Sequence, residues 1–347
     1  MSLSAGGKNV LIVGPGFIGW NVLDHLVREG YNVTGLVRRA SHGQQIEFSG
    51  AKAVVGDLND TTLIKTHAAE SDIIFHTATA DHKPSAEAVC QAVAERAAQG
   101  KSTIYIHTSG TSVLDDGACG EFKGDKVYHD NNRAEIDSVP DDAPHRQIDL
   151  TILKYQKEIG DKAKIAIMIP PLIYGYNPQH RRLTIQIPTL TRFAIKHGFA
   201  GYLGKGLPVE SQIHVLDLAQ AYVTLLHHME NTPAQDFLDN PYFFCENGRE
   251  ASWREVAEMI GEGLHKAGKI QDPTPKTIPK DLWGDLFGEF SGAVIGLNSR
   301  SRAVRLRELG WEPTQRSMEE SFQMFELAEI LKEDVVEFHG YAGTAAS

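Results

Sequence analysis

The first half of the chain alternates short apolar runs with segments whose apolar residues recur at helical spacing. "KNVLIVG" (Lys8 to Gly14) reads as a strand ending in Gly, and "FIGWNVLDHLVREG" follows as a helix closed by Gly30. "YNVTGLV", "AKAVVGD", "SDIIFHTA" and "STIYIHTSG" supply four more strands, with a helix predicted from Pro84 to Gln99, and "KIAIMIP" (Lys164 to Pro170) a sixth. Strand–helix repetition of this kind predicts a doubly wound parallel α/β sheet of Rossmann type, covered on both faces. After Pro171 the regularity breaks into "YGYNPQHRR" and "HGFAGYLGKGLP", then resumes in "QIHVLDLAQAYVTLLHHME". Beyond Asn240 come a strand-like "YFFCE", a helix from about Ser252 to Lys266, a Pro/Gly-rich aromatic stretch (271–296) and a C-terminal helix. The expected division is a dinucleotide domain over 1–172 plus 213–240, with a smaller substrate (lid) domain over 173–212 plus 241–335.

Composition narrows the class. The 347 residues carry a formal charge of −11, which speaks against nucleic acid or an anionic membrane as partner. Cys90, Cys119 and Cys245 form neither a disulfide framework nor a zinc pattern, and no ligand-spaced His/Cys group suggests a metal. "MSLSAGGKN" has no apolar signal core, and no run is long enough to span a bilayer. The expectation is a cytoplasmic protein, monomer or homodimer, acting on a small molecule. Between the fifth strand and His145 lies a long segment with nine acidic and three basic residues, read either as a functional loop or as a solvated acidic flap.

"GPGFIG" places Gly14, Gly16 and Gly19 in G-x-G-x-x-G spacing after the first strand, around Phe17 and Ile18. That spacing suits a tight turn, close approach of a pyrophosphate to the backbone, and close helix–strand packing. The second strand ends in "GLVRRAS", with Arg38 and Arg39 where an NAD site normally carries an acid. Two guanidiniums there favour NADP (NADPH), whose 2′-phosphate they can pair with.

These motifs, with "VVGDLND", "IIFHTATA", "IYIHTSG", "IMIPPLIYG", "QIHVLDLAQAY" and "LRELGWEP" in this order, resemble the extended and atypical short-chain dehydrogenases/reductases of the NAD(P)-dependent epimerase/dehydratase superfamily. The resemblance runs from about Lys8 to Pro313. It implies that Asp57 and Leu58 contact the adenine, and that Thr77 and Ala78 line the path to the nicotinamide. Pro170, Leu172 and Ile173 would flank the nicotinamide amide, and the segment around His214 and Asp217 would join the two domains.

The departure is in the proton relay. The family pairs a Ser or Thr after the fifth strand with a Tyr and, one helical turn later, a Lys. Here Gly110 takes the hydroxyl position, between Ser109 and Thr111, and no Tyr is followed four residues later by Lys. Counting back from "IPP" puts Asp141 near the Tyr position and His145 or Arg146 near the Lys position. Candidate proton-handling groups are therefore Ser109, Thr111, His145, Tyr128 and Tyr174. Three readings stay open: an NADP-dependent oxidoreductase that reduces a carbonyl, imine or enone with a non-standard donor; a lyase or isomerase on the same fold; and a non-catalytic NADP(H)-binding sensor or scaffold. "LWGDLFGEFSG" (Leu282 to Gly292) would line an apolar substrate pocket or pack as core.

Overall fold

A computed structural model describes residues 7–335 and 337–341; most of the N-terminal segment just discussed lies outside them. Seven strands form one sheet: β1 (Asn9–Val13), β2 (Asn32–Val37), β3 (Lys52–Val55), β4 (Ile73–His76), β5 (Ile104–Thr108), β6 (Lys164–Ile169) and β7 (Tyr242–Phe244). Their order is β7-β6-β5-β4-β1-β2-β3 and every pairing is parallel. β4 and β5 are buried along their whole length, which is why they read as unbroken apolar runs and not as alternation. On one face pack the helices Gly19–Arg28 and Val215–Asn231; on the other pack Thr61–Ala69, Lys83–Ala98 and Arg146–Ile159. The strand order reverses between β1 and β4, so a crevice opens at their carboxyl ends, where such sheets bind ligands.

A second apolar core gathers Tyr174, Phe193, Tyr202, Trp253, Ile260 and Phe322. The helix Trp253–Lys266 starts where its sequence says it should, since Ser252 and Glu255 form a reciprocal capping box. A three-stranded sheet (Glu250–Ser252, Val209–His214, Leu172–Tyr174) lies beside it. Two segments expected in the smaller unit return to the larger one. β7 extends the parallel sheet, and Ala303, Leu306 and Trp311 belong to its core. The aromatic run divides as well: Leu286 and Phe287 are buried in the second core, whereas Phe290 is exposed.

The acidic segment after β5 is tied down. Tyr128–His129 pairs with Ser301–Arg302, and buried Asp130 accepts from the backbone N–H of Phe244, Val304 and Arg305. Burial pushes the Asp130 carboxyl up to about 6 although those three donors pull the other way. Asp217 makes a comparable tie, accepting from the N–H of Thr314 and Gln315 and so fastening the C-terminal segment to the helix Val215–Asn231. Among the described residues no helix is long and apolar enough to cross a membrane.

Candidate active site

The glycine turn leaves β1 for the helix that begins at Gly19. A Cβ on Gly14 would lie 2.4 Å from that of Ala78, and one on Gly19 would lie 2.3 Å from Thr77 Oγ1. Thr77 Oγ1 donates to the Gly14 carbonyl at 2.8 Å, locking the turn to the end of β4. Gly16 differs: a Cβ there would meet nothing within 4 Å. Two glycines therefore serve packing and the middle one borders open space, which is the cradle a dinucleotide pyrophosphate needs. Arg38 and Arg39 are exposed just after β2. Asp57 is exposed and Leu58 half-buried after β3; Ala78 is exposed after β4. Pro170, Leu172 and Ile173 are buried after β6, and Pro170 accepts from the Thr111 N–H at 3.0 Å. The turn after β5 is thus held against the turn after β6.

Of the candidate proton-handling groups, three are committed elsewhere. Ser109 Oγ donates to Asp149 Oδ2 at 2.9 Å inside the protein, tying the turn after β5 to the helix Arg146–Ile159. Thr111 Oγ1 turns away to Ser299 Oγ (3.2 Å) and Glu210 Oε1 (3.5 Å). Tyr174 is buried, with its hydroxyl donating to the Arg316 carbonyl and accepting from Asn247; burial pushes its phenol well above the ordinary range. Tyr128 lies on the short strand paired with Ser301–Arg302, under the Lys126 ammonium.

His145 is placed otherwise. It opens the helix Arg146–Ile159 from a left-handed backbone conformation, φ 67°, which a non-glycine residue holds only at a cost of about 1–3 kcal/mol. Its Nδ1 bonds Asp81 Oδ1 at 2.7 Å, and its Nε2 lies 3.2 Å from where a Gly110 Cβ would be. The missing side chain of Gly110 is what leaves room for the ring. Burial alone would raise the Asp81 carboxyl, but the hydrogen bond and charge of His145 outweigh it and hold the group below its usual range. Asp141 lies in the turn before the helix. The residues one helical turn apart at this helix start are His145 and Asp149. Burial pushes Asp149 up to about 6 against the pull of Ser109, His145 and Arg146, and its Oδ1 has no partner among the described residues.

At the far end of the Thr111 contact sits buried Glu210, whose Oε2 has no partner among the described residues; burial pushes its carboxyl up to about 8, against hydrogen bonds from Ser299 and Thr111. An unfolded Glu titrates near 4.5, so the folded state holds this proton more tightly and stability falls as pH rises from about 4.5 to about 8. Glu210→Gln removes the titration. Its stability relative to the native chain is expected to improve by several kcal/mol between pH 5 and pH 8, read from urea melts. An equal pH slope in both proteins would show that Glu210 is ionised in the fold.

With this geometry in hand, the comparisons with known proteins are direct. The model of the NAD dependent epimerase/dehydratase family matches residues 10–238. The chain belongs to that family. It is an NAD(P)-dependent enzyme of the oxidoreductase class on the short-chain dehydrogenase fold, and the family's cofactor is a nicotinamide dinucleotide. It is 28% identical over 328 residues to "Oxidase ucsJ" from Acremonium sp, covering 88% of this chain and 93% of that protein. A ketoreductase of a farnesylated dihydroquinoline oxide from Stigmatella aurantiaca is 29% identical over 112 residues, 30% of this chain and 34% of that one. Among solved structures, the UDP-glucuronic acid 4-epimerase of Bacillus cereus, in complex with UDP-glucuronic acid and NAD, superposes with a TM-score of 0.65. It is 15% identical, with 93% of this chain and 99% of that chain covered, and at that identity the likeness is one of fold.

Asp81 and Glu210 escaped sequence reasoning. Asp81 left a faint signal, an acid in the loop after β4 within "TATADHK", but its partner lies 64 residues away. Glu210 sits in "GLPVESQIH", where nothing marks it as buried.

Proposed function

We propose that the protein is an NADP-dependent reductase of a carbonyl, imine or enone on a small organic molecule, with His145 as proton donor. The observation that carries this reading is the Asp81–His145 pair whose second ring nitrogen, Nε2, faces Gly110. When bound, the dinucleotide supplies or accepts a hydride at its nicotinamide. His145 Nε2 gives the proton that the developing oxyanion needs, in place of a tyrosine. Asp81 holds the ring through Nδ1–H, so that Nε2 is the nitrogen that faces substrate. In the oxidising direction the same nitrogen, deprotonated, takes the proton of the alcohol. The oxidase and ketoreductase among its relatives support redox chemistry over epimerisation.

The test is NADPH oxidation against a panel of aldehydes, ketones, imines and enones, using NADPH deuterated at C4. Deuterium in the reduced product supports the reading. Tight NADPH binding with an inert panel would favour a sensor, and substrate isomerisation with no net NADPH consumption a lyase or isomerase.

Cofactor choice follows from Arg38 and Arg39. Charged hydrogen bonds contribute about 1.5–3 kcal/mol, so NADPH is expected to bind roughly ten- to a hundredfold more tightly than NADH by fluorescence titration. Equal affinities would refute the preference.

A further inference from the structure

Next to the glycine turn is a cavity of about 680 Å³ lined by Trp20, Arg39, His42, His180, Arg181 and Arg182 among others, with no carboxylate in its lining. Its cations come from two distant parts of the chain. Arg39 follows β2, whereas His180, Arg181 and Arg182 belong to the segment 177–182 beyond β6.

That segment is fixed over the helix Gly19–Arg28. Asn177 Nδ2 donates to Asn21 Oδ1 at 2.6 Å, and His180 Nε2 bonds Asp24 Oδ2 at 2.7 Å. The His180 ring stacks on Trp20 at 3.9 Å between centroids, and the Arg182 guanidinium lies 5.6 Å from the same indole. The chain reverses through a bridge between Asn177 and Arg182, with Arg181 at φ 53°, a left-handed conformation unusual for a residue with a Cβ. Buried His42 has an Nε2 with no partner among the described residues. Burial, then the charge of Arg39, pulls the Arg182 guanidinium below its ordinary range, and no acid among its influences offsets this. Glu329 lies within reach of the Arg181 charge and Asp24 pairs His180, but Arg39 and Arg182 repel each other beside a strained turn, an arrangement that a bound anion would relieve.

We propose that Arg181 and Arg182 close with Arg39 on a phosphate monoester, the 2′-phosphate of the dinucleotide's adenosine ribose. The segment beyond β6 then reads cofactor identity together with the end of β2. A guanidinium pairs a phosphate with two parallel charged hydrogen bonds, and the Trp20 face holds the Arg182 plane for it. This inference rests on the NADP reading above.

The test compares the native chain, Arg182→Gln and exposed Arg181→Gln in titrations with NADPH, NADH and inorganic phosphate. Arg182→Gln is expected to weaken NADPH binding about tenfold or more with NADH affinity unchanged, and Arg181→Gln to act in the same direction. Inorganic phosphate is expected to compete with NADPH in the native chain and less in either variant. If the native chain does not distinguish NADPH from NADH, the NADP reading falls and this one with it. A native preference that both variants retain overturns this inference alone. Loss of NADH and NADPH binding in equal measure would assign the arginines to structure and overturn it too. Phosphate binding that both variants weaken while NADPH affinity stays unchanged would make the pocket a free-anion site and overturn it as well.

Discussion

His145→Ala is expected to lower the rate of carbonyl reduction by roughly a hundredfold or more, the usual scale for a positioned general acid, while NADPH affinity stays as it was. The separation follows from position. The ring lies against Gly110 at the end of β5, and among the described residues its hydrogen bond to another side chain is to Asp81, so removing it takes no partner from the glycine turn. Two further variants divide the role. Asp81→Asn keeps a group at Nδ1 but removes its negative charge, so reduction should fall while NADPH affinity stays as it was. Gly110→Ser would put an atom 3.2 Å from Nε2, tighter than ordinary contact, and displace the ring without touching the cofactor cradle. If His145→Ala changes cofactor affinity and leaves turnover per bound cofactor intact, the residue is structural, and its left-handed backbone serves the helix start alone.

The scaffold was open to sequence reading because its signals are local. Parallel strands buried on both faces give unbroken apolar runs such as "VLIV" and "IIFH", each ended by a turn, and Ser252 with Glu255 announces a helix start within four residues. β7 was harder, since three residues carry no register, and what places them in the large sheet is pairing with β6 some 75 positions earlier. The catalytic candidates lay beyond local signals for the same reason. "HTSGTS" marks Ser109 and Thr111 as hydroxyls near the chemistry, but only the fold turns one to Asp149 and the other toward Glu210. The helix from Arg146 takes His145 as its N-cap, with no side-chain capping bond that would mark the start. Charges misled most. Nothing near Arg182 or Glu210 in sequence marks them, and both are surrounded by elements remote in sequence.

Gly16→Val is expected to abolish dinucleotide binding, with at least about a hundredfold loss of affinity for NADPH and NADH alike, in a protein that still folds. The two halves of that expectation have separate grounds. Folding survives because Gly16 borders open space, with nothing within 4 Å of an added Cβ, and its φ lies outside the left-handed region that L side chains avoid. Substitutions of that kind usually change stability by only about 0.5 kcal/mol, so the urea midpoint should barely move. Binding fails because the same open space is where the pyrophosphate must approach the backbone, and a branched side chain would displace it by more than a hydrogen-bond length. Gly19→Val provides the contrast. Its Cβ would run into Thr77 Oγ1 and the Gly14 carbonyl, breaking the bond that locks the turn to β4, so stability should fall with affinity. The pair separates cradle from scaffold in one experiment. A folded Gly16→Val protein that binds NADPH as tightly as the native chain would mean that the cofactor does not cross this turn, and the site built around β1 and β4 would have to be abandoned.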